Sequence, residues 1–326
     1  MLPRVVGGAP GNPGKQIRPW AVAQVQPGAS LNTIFFNQDR RLRNGWWVLI
    51  FVLVFTIVRL GVGPAVRGLK GLGMAKAWFE PVAFLLTLVV TWICTRLRKE
   101  PLSSVGFRLD RRWAKELGWG TALGLGQIVV AAGMAWAVGG LRFELDPARS
   151  LQALGYGFYM FVFVALFEET LFRGFLFQRL VDGAGVWVAQ IALALLFAVG
   201  HWGNPGMAGA TKVWATLDIG LGAVALGLAY WRTRSLALPI GIHLGWNWAQ
   251  GHLFGFGVSG LAQTGWLRPV FLGKAEWITG GAFGIEASVF GVVVDGLAIL
   301  LLWKWKGSVA VQAVAPEVPE LLPEHA

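Results

Sequence analysis

Charge is scarce in this chain. Of its 326 residues only 14% are charged and 55% are hydrophobic, and the mean hydropathy is +0.58. Soluble domains carry roughly 25% charged residues. The shortfall, with apolar runs spread evenly from Trp46 to Trp303, points away from a soluble enzyme and towards one polytopic membrane domain. Cysteine is almost absent. The single Cys94 excludes an internal disulfide and a multi-cysteine metal site. A signal peptide is also missing, because residues 1–37 are rich in Gly and Pro and hold no compact apolar core with a cleavage site.

Basic residues and tryptophans are what the chain does have. The net charge is +11. The basic residues cluster between apolar runs, as in loops lying on an anionic leaflet, and this reading excludes nucleic acid as a partner. Eighteen tryptophans include Trp46, Trp47, Trp78, Trp187, Trp231 and Trp303, which sit near the ends of apolar runs where an aromatic belt places them.

A spanning helix needs about 20 mostly apolar residues. Eight stretches meet or approach that criterion: 46–62, 77–95, 117–138, 154–180, 186–201, 217–231, 236–256 and 285–303. The expected fold is all-α, a polytopic membrane helix bundle of about eight transmembrane helices. It occupies 39–306, with its chemical motifs within 151–250, between flexible tails at 1–38 and 307–326. Arg and Lys are densest before the first span and after the second, fourth, sixth and eighth. The positive-inside rule then puts both termini in the cytoplasm of a plasma-membrane protein. The stretch 257–284 is long, Gly-rich and weakly polar, and reads as a cap or re-entrant segment.

Three polar constellations lie where a bilayer disfavours them. They are Glu168-Glu169-Thr-Leu-Phe-Arg173, Phe197-Ala-Val-Gly-His201 and His243-Leu-Gly-Trp-Asn247, on three different predicted helices. An ionisable residue at membrane depth is a functional hypothesis by default. Adjacent helical residues are about 100° apart, so Glu168 and Glu169 face different points. Glu169 and Arg173 stand at i, i+4 and can neutralise one another, which leaves Glu168 free. His243 and Asn247 share a face in the same way, as do Phe197 and His201.

A carboxylate, two imidazoles and a carboxamide make a hydrolytic set. Glu168 can take a proton from water, His201 can orient that water, and His243 and Asn247 can donate to an oxyanion. The same set admits zinc held by Glu168, His201 and His243. The histidines stand on separate helices rather than as a close pair, so no cofactor is favoured. A third reading is a non-catalytic scaffold or a proton-coupled transporter that uses the same buried groups. Phe197 reads as packing at the site and His252 as a packing residue. Asp218 and Asp295 are single acids able to bond a neighbouring helix.

The three motifs, in this order on successive spans, resemble the CAAX protease and bacteriocin-processing family of intramembrane endopeptidases. The family pattern is Glu-Glu-x-x-x-Arg, then Phe-x-x-x-His, then His-x-x-x-Asn or Asp. The resemblance implies peptide-bond hydrolysis of a peptide or protein substrate, membrane association being one option for it, and it does not carry over which substrate. It implies that Glu168 activates water with help from His201, that His243 and Asn247 form the oxyanion hole, and that Glu169 and Arg173 are a supporting pair. At ~1.5 Å per residue, Glu168 and His201 lie about 21–23 Å from the 182–186 turn, and His243 lies about 13 Å from Arg234. Either the fourth and fifth helices protrude into the cytoplasm or the seventh begins deeper, and the length of the run 154–180 favours protrusion.

Overall fold

The computed structural model describes residues 31–71 and 76–307. The expected tails fall largely outside the described residues. The chain divides into two units at Leu42 and Arg43. The described part of the first unit holds a short helix, α1 (Leu31–Phe35), and an isolated antiparallel bridge between Phe36 and Leu42.

The second unit is helical. Its main elements are α2 (Asn44–Gly71), α3 (Phe79–Leu97), α4 (Arg111–Ala137), α5 (Leu151–Arg173), α6 (Phe175–Ala184), α7 (Val186–Gly200), α8 (Gly209–Thr233), α9 (Ala237–Trp248), α10 (Glu276–Thr279) and α11 (Val289–Lys304). The protein is thus an all-α integral membrane protein. Every one of the eight apolar stretches contains helix. By length and apolarity, four helices suffice to cross a bilayer: Asn44–Leu69, Phe79–Leu97, Arg111–Ala137 and Gly209–Thr233.

The remaining stretches are shorter or broken. The run 154–180 is two helices rather than one, because α5 ends at Arg173 and Gly174 leaves helical geometry at φ −75°, ψ −122°. A depth measured along one straight protruding helix therefore does not apply. In the seventh stretch α9 passes into one π-helical turn, Ala249–Leu253, a local widening frequent at functional sites.

Local sequence explains the helix starts. Asp110 caps α4 by accepting from the Trp113 backbone N–H, and Ser150 and Ser288 cap α5 and α11 in the same manner. Outside the helices, β1 (Leu141–Leu145) pairs antiparallel with β2 (Leu267–Phe271), with Phe143 opposite Pro269. Glu144 accepts from Arg142 on its own strand and from Arg268 across the ribbon, and these bonds hold its carboxyl below the usual carboxylate range. The stretch 257–284 thus contributes a strand and a short helix.

Candidate active site

The site is set by how α9 is held. Gly120 and Gly124 on α4 meet Gly241 and Gly245 on α9. A Cβ at any of the four would run into the backbone of the opposite helix. Small residues let helix backbones approach closely where lipid offers no hydrophobic drive between helices. Residues two apart on a helix point about 200° apart. Clamping the Gly241 and Gly245 face on α4 therefore turns His243 and Asn247 away from α4 and into the interior.

There they meet α5. Glu169 is fully buried and Arg173 is 3% exposed. Arg173 Nη1 donates to Glu169 Oε1 at 3.1 Å, and Nη2 donates to the Ala223 carbonyl on α8 at 2.9 Å. The expected pair at i, i+4 is present, and it ties α5 to α8. The same Glu169 oxygen lies 2.8 Å from His243 Nδ1, while Oε2 has no hydrogen-bond partner among the described residues. Glu169 thus joins Arg173 and His243 in one buried chain of charge-assisted bonds. Glu168, one residue back, points elsewhere: its Oε2 is 3.6 Å from His243 Nε2. His243 sits between the two glutamates.

The third motif residue set comes from α7. His201 follows the last turn, and its Nδ1 lies 2.7 Å from the Phe197 carbonyl. With Nδ1–H donated to that oxygen, Nε2 carries the free lone pair. Phe197 packs edge-on against Phe172 at 5.0 Å and tilted on His201 at 4.8 Å, and it lies under the Arg173 guanidinium at 5.0 Å. It also meets the His243 ring edge-on at 6.3 Å. Phe197 therefore fixes three polar side chains by packing.

Glu168, His201, His243, Asn247 and Phe197 line one cavity of about 470 Å³, a size typical of ligand sites. Asn247 is 8% exposed and has no side-chain hydrogen bond among the described residues, so its amide is free to address whatever enters. Glu169 and Arg173 lie behind the wall. His252 stands apart: its ring packs on Gly157, and Nδ1 contacts the Thr264 carbonyl at 2.9 Å.

Several lining groups escaped sequence reasoning. Glu80 comes from the first turn of α3, Gln127 from α4, and Ser259 and Glu286 from the segments before α11. Asp218 on α8 and Asp295 on α11, read as helix-bonding acids, line the same cavity. The signal for Asp295 and Gln127 was a polar residue inside an apolar run. Glu80, Ser259 and Glu286 gave none, being placed only by the fold.

A family model described as type II CAAX prenyl endopeptidase Rce1-like matches residues 150–249. That span runs from the cap of α5 to the end of α9 and carries all three motifs. No curated protein matches the chain. The similarity is to membrane proteases that act on peptide or protein substrates.

Proposed function

We propose that this protein is an intramembrane endopeptidase in which Glu168 activates the attacking water. The observation that supports it most is the placement of His243: Glu169 takes its Nδ1, and its Nε2 faces Glu168 across 3.6 Å at the wall of the cavity. In this reading Glu168 removes a proton as water adds to the scissile carbonyl carbon. His201 Nε2 accepts from that water and orients it. The tetrahedral oxyanion is met by the Asn247 amide and by His243. For His243 Nε2 to donate, the ring carries both protons, and the two flanking carboxylates balance that charge. Protonated Glu168 then passes its proton to the leaving amine, yielding a carboxylate product and an amine product. General-base help is worth typically 10²–10⁴-fold.

Zinc held by Glu168, His201 and His243 is the alternative arrangement for this site. Among the described residues no three His, Cys, Asp or Glu side chains are grouped to hold a metal ion.

The test is Glu168→Gln in purified full-length protein, assayed on a peptide library in detergent. Cleavage is expected to vanish while thermal unfolding is unchanged. A folded Glu168→Gln protein that still cleaves overturns the role given to Glu168. Wild-type protein that cleaves nothing overturns the protease reading in favour of a scaffold or proton-coupled transporter. Activity lost on chelation and restored by stoichiometric zinc replaces the metal-free mechanism.

A further inference from the structure

The cavity has a second wall that hydrolysis does not use. Five carboxyl groups line the cavity as a whole against one arginine, Arg59. Glu168 and Glu80 come from α5 and α3. The other three, Asp218, Glu286 and Asp295, come from α8, the turn before α11, and α11. These three are 2%, 5% and 4% exposed. Among the described residues no lysine or arginine forms an ion pair with any of them.

Their bonds are incomplete. Glu286 Oε2 accepts from the Ser259 backbone N–H at 2.7 Å and from its hydroxyl at 3.1 Å. Asp295 Oδ1 accepts from Gln127 Nε2 at 3.0 Å. Asp218 has no hydrogen-bond partner among the described residues, and its Oδ1 is buried and unsatisfied. Bare backbone flanks both aspartates: Asp295 Oδ2 packs against Gly222 and Asp218 Oδ1 against Gly291, where a Cβ would clash. A buried acceptor left unpaired costs about 1–3 kcal/mol, more when charged. Such a wall offers acceptors to a hydrogen-bond donor.

The three acids do not converge as a metal ion requires. Acceptors spread along a wall suit a larger organic cation, whose several N–H donors span several ångströms. We infer that the Asp218, Glu286 and Asp295 wall is a subsite for a basic side chain, lysine or arginine, of the peptide that Glu168 cleaves. This rests on the protease reading above, and it assigns that enzyme a substrate class: apolar, membrane-embedded segments carrying a basic residue near the scissile bond.

The test separates the two claims by measuring binding apart from cleavage. The probes are apolar decapeptides in which one lysine is walked through successive positions, each paired with its norleucine isostere, which lacks only the ammonium. Binding is measured on full-length Glu168→Gln protein in detergent. At one or two adjacent positions the lysine peptide is expected to bind at least about tenfold more tightly than its isostere. Adding Asp218→Asn or Asp295→Asn should erase that difference and leave norleucine binding within about twofold. Equal binding of lysine and norleucine at every position, no binding of any lysine peptide, or equal weakening of both peptides by the Asn variants overturns the subsite. Lysine-selective binding without cleavage by the wild-type protein overturns the protease reading alone.

Discussion

Glu169 is the residue on which the geometry of the site turns. One of its oxygens takes both Arg173 and His243, and among the described residues no other hydrogen-bonding group joins those two. Glu169→Gln keeps the shape but removes the charge, leaving a buried guanidinium without its carboxylate. Breaking a buried ion pair from one side costs about 3–5 kcal/mol. A lower unfolding temperature in detergent is therefore expected together with reduced turnover, whereas Glu168→Gln should affect turnover alone. If Glu169→Gln unfolds like the wild type, the buried chain is not structural. Asn247 belongs to the same scale. As an oxyanion donor it should be worth roughly a hundred- to thousandfold in kcat, with KM little changed, in Asn247→Ala. A rise in KM at constant kcat would mark Asn247 as a binding group instead.

At the scale of elements, the glycine contact between α4 and α9 positions His243 and Asn247. Gly124→Ala places a methyl against the Ile242 carbonyl, and overpacking of this kind costs typically 1–3 kcal/mol. Displacing catalytic groups by about 1 Å can cost 10²-fold in rate. Gly124→Ala is thus expected to lower both stability and activity. Gly126→Ala, on the same helix with open space beside it, should change neither. Equal behaviour of the two variants would show that the close approach is not needed. The spacing Gly-x-x-x-Gly was present in the sequence of both helices, yet neither pattern names its partner. The break at Gly174 was also unread, since the apolar run continues through it; Gly174 lies against the Thr170 carbonyl, where a side chain would clash.

For the whole molecule, one end of the bundle gathers the basic segments. Arg98 stacks on Trp47 at 5.3 Å, and Arg112 donates to the Thr233 carbonyl at 3.2 Å. Arg179 reaches Asn44 at 3.4 Å, and Arg232 donates to the Leu302 carbonyl at 3.0 Å. The start of α2, the α3–α4 turn and the ends of α8 and α11 therefore share one end. Anionic leaflets attract such a surface, so a tag after α11 and one in the segment 96–115 should both be protected in intact cells and exposed in inverted vesicles. Opposite accessibility of the two tags would refute this topology.

The sequence by itself determined the solvent, the helical class and the three polar motifs. Scarce charge and long apolar runs leave an α-helical membrane bundle as the economical way to satisfy the backbone. Spacing at i, i+4 likewise fixed which groups share a face: Glu169 with Arg173, His243 with Asn247. Only the tertiary structure decided that His243 lies between Glu168 and Glu169, and that Asp218, Glu286 and Asp295 face the same cavity. These contacts join helices far apart in the chain. They depend on which glycine faces meet and where helices break, and periodicity within one helix carries no information about either.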